Sequence, residues 1–341
     1  MTTVAPPPNP APLKPADFSS DQEVRWCPGC GDYAILKAAQ RALAEMGATR
    51  ENTVFVSGIG CSSRFPYYMS TYGFHTIHGR APAIATGLKL ANEKLDIWVV
   101  TGDGDGLSIG GNHLLHALRR NVDLNILLFN NEIYGLTKGQ YSPTSRVGTR
   151  SPSTPQGSIE APVVPAVFAL GAGARFVARA VDTQQAQLIE VFKRAREHQG
   201  ASFVEIFQNC VVYNDGVFDE FTERSVAPER QLLAEHGKPL LFGKDRAQGL
   251  RLRSNALELE VVRVGEGGVS ESDVLVHDET NRALASLLAS LHPPTFPEVI
   301  GVLYCDPAPS YERSVLEQTR AAVQGGADLA SVIRSGRTWT V

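Results

Sequence analysis

Between Asp96 and Phe129 the chain alternates in a way that few architectures accommodate. Asp96 to Thr101 is a short, mostly apolar run, Gly102-Asp103-Gly104-Asp105-Gly106 follows, Gly111 to Arg120 has helical spacing, and Leu124 to Phe129 is again apolar. Strand, glycine-rich turn, helix and strand in this order make a right-handed βαβ unit, and such units build a parallel sheet with helices on both faces. The flanking sequence continues the pattern. Gly31 to Gly47 predicts an amphipathic helix, Thr53 to Val56 a buried strand opening into Ser57-Gly58-Ile59-Gly60, and Ala83 to Lys94 a helix. Val164 to Leu170, Arg175 to Arg179, Gln184 to Glu197 and Ala201 to Phe207 predict helix, strand, helix and strand. The expected fold is therefore α/β, a mainly parallel sheet flanked by helices. An irregular C-terminal extension follows, with one clear helix at Asn281 to Leu291 and an apolar run before Cys305.

With 341 residues, 43% of them apolar, the chain can bury a large core. Its 32 basic and 36 acidic side chains leave a charge of -4, which offers no basic surface to nucleic acid. No apolar stretch approaches the roughly 20 residues of a membrane span. The lead from Met1 to Pro15 is rich in proline and lacks the apolar segment of a secretory signal, so a cytoplasmic protein with a loose lead over residues 1–20 is expected. In that compartment five cysteines point to metal ligands, catalytic thiols or buried apolar residues rather than disulfides. The stretch from Thr137 to Ser158, rich in Ser, Pro, Thr and Gly, is expected to be a mobile functional loop.

Asp103 ends a buried parallel strand between glycines, where open α/β sheets bind ligands and where backbone can approach a phosphate. The next strand ends in Asn130-Asn131-Glu132-Ile133-Tyr134-Gly135. If the two strands are neighbours, Asp103, the Asn131 amide and the Ile133 carbonyl supply the oxygen ligands of a Mg2+ ion holding a diphosphate. Competing motifs fail: Leu114 stands where a calcium loop needs glutamate, no P-loop is present, and the third glycine of a dinucleotide fingerprint is missing after Gly106.

Cys27-Pro28-Gly29-Cys30 suits a zinc half-site, a redox dithiol or part of an iron-sulfur ligand set. Cys61 and Cys210 each follow an expected strand, so folding can carry both to that pair and complete four thiolates, with Cys305 left over as a buried small residue.

Taken together, Trp26-Cys27-Pro28-Gly29-Cys30-Gly31-Asp32, Gly58-Ile59-Gly60-Cys61-Ser62-Ser63-Arg64, His78-Gly79-Arg80-Ala81, Gly102-Asp103-Gly104-Asp105, Asn130 to Gln140 and Gln208-Asn209-Cys210 resemble the beta subunit of 2-oxoacid:ferredoxin oxidoreductases. The resemblance runs from about Glu23 to Phe221. It implies a thiamine diphosphate and iron-sulfur domain over 21–221 and an extension over 222–341. It also implies that Cys27, Cys30, Cys61 and Cys210 ligate a 4Fe-4S cluster, and that Asp103, Asn131 and Ile133 ligate Mg2+. Thiamine diphosphate would be contacted by Ile59, Gly60, Cys61, Ser62, His78, Gly104, Asp105, Gly135 and Leu136. His78 would serve at the reacting centre, and Arg64 would receive the substrate carboxylate, which a guanidinium can grip bidentately. The implied activity is oxidative decarboxylation of a 2-oxoacid, 2-oxoglutarate favoured over pyruvate or a branched-chain acid, with coenzyme A to acyl-CoA and carbon dioxide. Electrons would leave through the cluster to ferredoxin. The family also needs a glutamate from a pyrimidine-binding domain. Only one α/β unit is present here, so an alpha subunit is expected and the chain alone is expected to be inactive. A non-redox thiamine-dependent decarboxylase subunit and a zinc-stapled scaffold are the alternatives.

Overall fold

The computed structural model describes residues 12–324, 328–337 and 339. One eight-stranded sheet dominates. Its strands are β1 Thr53–Ser57, β2 Tyr72–His75, β3 Asp96–Gly102, β4 Asn125–Asn130, β5 Phe176–Val181, β6 Ser202–Phe207, β7 Gln231–Ala234 and β8 Glu298–Cys305. They lie in the order β2-β1-β3-β4-β6-β5-β8-β7. All pairings are parallel except that between β8 and β5. The helices are α1 Asp32–Glu45, α2 Ala81–Ala91, α3 Asp103–Leu107, α4 Gly111–Arg120, α5 Pro165–Gly171, α6 Gln185–Glu197 and α7 Arg282–Ala289, all close to their expected positions except α3, which forms within the expected glycine-rich turn.

The central strands read as continuous apolar runs because helices cover both faces of the sheet. Within them the two-residue period still sorts side chains. Val54, Val56, Ile97 and Val99 pack into one core layer, while Phe55, Trp98, Val100 and Leu127 pack into the other with Ile35 and Leu43 of α1. From β1 the chain leaves toward the β2 edge, and from the adjacent β3 it leaves toward β4. This divergence opens a crevice beyond the carboxyl ends of β1 and β3, the switch point at which open α/β sheets bind ligands.

Two expectations change. Residues 1–11 of the expected loose lead lie outside the described residues, but Pro15–Phe18 form a 3-10 turn and Phe18 is fully buried beneath α1. The region after Phe221 returns two strands to the main sheet, with β8 inserted between β5 and β7. Its remaining antiparallel sheet, Leu241–Phe242, Gln248–Leu252 and Leu259–Arg263, packs against the same core. The apolar run before Cys305 shows in the sequence as a strand, but its long separation from β5 hides which sheet it joins.

Candidate active site

Beyond β1 and β3 lies a cavity of about 460 Å³. Ile59, Gly60, Cys61 and Ser62 reach it from the turn after β1, and His78 from the turn after β2. Asp103, Gly104 and Asp105 enter at the start of α3, and Asn131, Ile133, Gly135 and Leu136 from the turns after β4. The residues expected to touch the cofactor and the divalent cation thus line one space.

Asp105 lines that space and also organises it. Its buried Oδ1 accepts from the Ile59 N–H at 3.0 Å, the Gly79 N–H at 2.7 Å and His78 Nδ1 at 2.7 Å, while Oδ2 accepts from Thr101 Oγ1 at 2.6 Å. A carboxylate only accepts, so Nδ1 of His78 carries a proton and Nε2 is the ring nitrogen left for other partners.

Asp103 is also buried, and Ser142 Oγ and Thr144 Oγ1 each donate to its Oδ2 at 2.6 Å. Burial pushes its carboxyl up to about 6, against the opposing effect of those two hydroxyls. Among the described residues no cation pairs with it. A buried carboxylate without a counter-charge suits a site completed by a divalent cation. Ser142 and Thr144 come from the loop expected to be mobile; it is instead tied down, with Ser145 donating to the Glu132 carbonyl as well. The Ile133 carbonyl accepts from the Gly135 N–H at 3.1 Å and retains a second lone pair.

The space also fits a thiamine diphosphate. Ser62 Oγ is buried without a hydrogen-bond partner, an acceptor or donor awaiting a ligand. A Cβ at Gly104 would stand 2.2 Å from the Tyr134 ring, so only glycine lets the start of α3 pass beneath that ring. Tyr134 donates to the Gly104 carbonyl at 3.0 Å and meets the His78 ring edge-on.

Cys27, Cys30, Cys61 and Cys210 line a second cavity of about 210 Å³. Trp26 unites two of the segments: its indole Nε1 donates to the Cys61 carbonyl at 2.7 Å, and its ring packs edge-on against Tyr33 and Tyr68. The third joins through the Gly31 N–H, which donates to the Asn209 carbonyl at 3.2 Å. Burial pushes the Cys61 thiol up to about 12 and the Cys30 thiol up as well, so neither is a free thiolate by itself. The four thiols frame a volume instead of converging on a point. Among the described residues, no three His, Cys, Asp or Glu side chains could hold a single metal ion. Cys305 lies elsewhere, half-buried, its sulfur 3.9 Å from His198 Nδ1.

The two cavities share Cys61, Asn131, Gly135 and Leu136 as a common wall. At Gly135 a Cβ would lie 3.5 Å from Cys210 Sγ and 3.6 Å from Cys61 Sγ, so a bare backbone separates them. Arg64 does not line the larger cavity. It lines the thiol cavity and a neighbouring groove of about 510 Å³ that meets the cavity beyond β1 and β3 at Ile59, Gly60 and Leu136, and its Nε donates to Tyr68 Oη at 3.0 Å.

Sequence reasoning passed over Asp32, Tyr134, Ser142, Thr144 and Gln208. Asp32 lines the larger cavity with Oδ2 unpartnered, and burial, aided by Asp182, lifts its carboxyl to about 7. Asp32, Tyr134 and Gln208 all stand within the motifs that carry the resemblance, whereas the hydroxyls of the loop have no local signal.

Fold and cavity together define a thiamine-diphosphate-binding α/β subunit. Residues 58–206 match the family model for the thiamine pyrophosphate enzyme, C-terminal TPP binding domain. The chain is similar to 2-oxoglutarate oxidoreductase subunit KorB of Mycobacterium tuberculosis, 51% identical over 337 residues, covering 97% of this chain and 89% of that one. Over 206 residues, 60% of this chain and 65% of the other, it is 48% identical to 2-oxoacid:ferredoxin oxidoreductase 1, subunit beta, of Aeropyrum pernix. Among solved structures it is similar to the 2-oxoglutarate:ferredoxin oxidoreductase from Magnetococcus marinus with 2-oxoglutarate, coenzyme A and succinyl-CoA bound. The TM-score is 0.77 at 34% identity, with 96% of this chain and 97% of that chain covered. The chain belongs to the beta subunits of 2-oxoacid:ferredoxin oxidoreductases.

Proposed function

We propose that this chain is the beta subunit of a 2-oxoglutarate:ferredoxin oxidoreductase that converts 2-oxoglutarate and coenzyme A to the acyl-CoA and carbon dioxide. The observation that carries this reading is the shared wall: a thiamine-sized cavity and a four-thiol cavity divided only by Gly135 and its neighbours. Thiamine diphosphate, when bound, supplies the nucleophilic carbon and electron sink that decarboxylation of a 2-oxoacid requires.

The residues of the chain then have distinct tasks. Asp103, Asn131 and the Ile133 carbonyl hold Mg2+ and through it the diphosphate, while Ser62 and the Gly104 backbone receive phosphate oxygens. Asp105 holds Nδ1 of His78 and so turns Nε2 toward the reacting centre. Cys27, Cys30, Cys61 and Cys210 hold a 4Fe-4S cluster. A single zinc ion needs thiols converging on one point, which their spread around a cavity does not favour. A decarboxylase without redox chemistry has no use for them.

Arg64 pairs with no acidic side chain among the described residues, and its terminal nitrogens remain for a substrate carboxylate entering by the groove. The Mycobacterium relative and the Magnetococcus structure are both named for 2-oxoglutarate, which supports that substrate over pyruvate. Ile77, 74% exposed, and Ile109, 53% exposed, flank the His78-Gly79 turn at the cavity mouth. Such apolar side chains suit cover by an alpha subunit bringing the pyrimidine-side glutamate. Residues 21–221 form the cofactor-carrying unit in this reading, and 222–341 extend its sheet. Among the described residues no helix is long and apolar enough to cross a membrane.

The test is anaerobic purification with the partner subunit, analysis for iron, sulfide, zinc and thiamine, and assay of ferredoxin reduction by 2-oxoglutarate, pyruvate and branched-chain 2-oxoacids. A brown, thiamine-containing complex that reduces ferredoxin with 2-oxoglutarate and coenzyme A is expected. Zinc in place of iron, or full activity from this chain alone, would overturn the reading.

A further inference from the structure

Gln208 lies just after β6 and has no part in the roles above, yet its side chain lines the thiol cavity and links Cys30 to Asn131 in the wall that the two cavities share. It is 1% exposed. Its Nε2 donates to the Asn209 carbonyl at 2.7 Å and to Cys30 Sγ at 3.3 Å, and its Oε1 accepts from Asn131 Nδ2 at 2.8 Å. Backbone groups fix both amides. The Asn209 carbonyl demands a donor, so Nε2 faces it, and the Ile133 N–H demands an acceptor, so Asn131 Oδ1 faces that N–H at 3.2 Å. Both Nε2 protons and the carbonyl oxygen are therefore in use. The path between Cys30 and Asn131 is open only because residue 31 is glycine: a Cβ there would lie 3.1 Å from Gln208 Cγ and 1.9 Å from Asp182 Oδ2.

We propose that Gln208 is a positioning residue shared by the two centres, orienting the Asn131 amide at the cation site and donating a hydrogen bond to the Cys30 sulfur at the cluster site. A hydrogen bond to a ligating sulfur stabilises the more negative, reduced cluster and so raises its potential. Holding the Asn131 amide in one orientation pre-forms the cation site before thiamine diphosphate arrives. This inference rests on the proposed assignment of Cys30 to a cluster and Asn131 to Mg2+.

The two roles separate in two variants of the complex purified anaerobically with the partner subunit. Gln208→Glu keeps an acceptor for Asn131 but cannot donate to sulfur and adds negative charge. Its cluster midpoint, read by EPR-monitored redox titration, should move to a more negative potential, with thiamine diphosphate affinity near that of the wild type. Gln208→Leu loses both contacts, so its midpoint falls and its Mg2+-dependent affinity for thiamine diphosphate weakens ~10-fold or more. Unchanged midpoints in iron-loaded variants, or unchanged affinity in Gln208→Leu, would overturn the inference alone. A wild-type complex without iron would overturn the underlying assignment and the inference with it. Should Gln208→Leu fail to fold, the near-isosteric Gln208→Glu decides the question through its potential.

Discussion

At Asp105 four donors from three segments converge on one carboxylate: Ile59, His78, Gly79 and Thr101. That convergence holds the turns after β1 and β2 against the start of α3, so the shape of the cavity depends on a residue that need not touch a ligand. Replacing Asp105 by Asn leaves the volume unchanged but removes the charge: a neutral amide oxygen must then serve the three N–H donors on Oδ1, while the NH2 meets the Thr101 hydroxyl, which can turn to accept. Hydrogen bonds to a charged group contribute about 1.5–3 kcal/mol against about 1 for neutral ones, and Asp105→Asn is expected to lose about 1–3 kcal/mol of stability in urea denaturation. Thiamine diphosphate affinity should fall in parallel. Wild-type stability in this variant would show that the carboxylate is not the anchor. The adjacent Asp103 differs in kind, since only hydroxyls meet its Oδ2. Asp103→Asn should therefore fold at least as well as the wild type without added metal, yet lose Mg2+-dependent cofactor binding, measured as fluorescence quenching by thiamine diphosphate with and without the cation.

Among the elements, the antiparallel insertion of β8 against β5 is secured by a buried charge network. Arg179 of β5, 0% exposed, gives Nε to Glu205 of β6 at 2.9 Å, Nη1 to Glu298 of β8 at 2.7 Å, and Nη2 to the carbonyl of Ala289 in α7 at 3.1 Å. Glu205 in turn accepts from Asn130 Nδ2 at 2.8 Å, tying the network to the end of β4. Removing the cation strands two carboxylates in the sheet, and uncompensated buried charges of this kind cost about 3–5 kcal/mol. Arg179→Met is expected to lower the urea midpoint accordingly. It should also loosen 222–341, read as faster amide exchange in β7 and β8 than in β1 and β3. Uniform exchange across the sheet would mean the network is not what fastens the extension.

For the whole molecule, His198 sets one part of the response to acid. It is buried at the carboxyl end of α6, and burial depresses its pKa from 6.5 to about 4. The unfolded chain binds that proton first, so stability is lost as pH falls from about 6.5 toward 4. Between pH 7.5 and 5 this one ring should cost about 2 kcal/mol. His198→Gln should remove that part of the slope, seen by comparing urea midpoints of the two proteins at both pH values. Equal slopes would place the acid sensitivity elsewhere.

Much of the fold was legible in the chain because local periods of two and 3.6 residues report burial directly. The helix over 111–120 and the strands over 53–57 and 96–102 needed no tertiary information. Asp103 and the cysteines could be singled out because glycines and strand ends mark where ligands bind. What the sequence by itself determined is therefore the alternating α/β framework and the residue types available at its carboxyl edge. Which of those residues meet was decided by the tertiary structure alone. Ser142 reaches Asp103 across 39 residues and Gln208 reaches Cys30 across 178. No local pattern encodes such contacts, because a hydroxyl or amide carries no periodic signal and finds its partner only when strand order brings the two turns together.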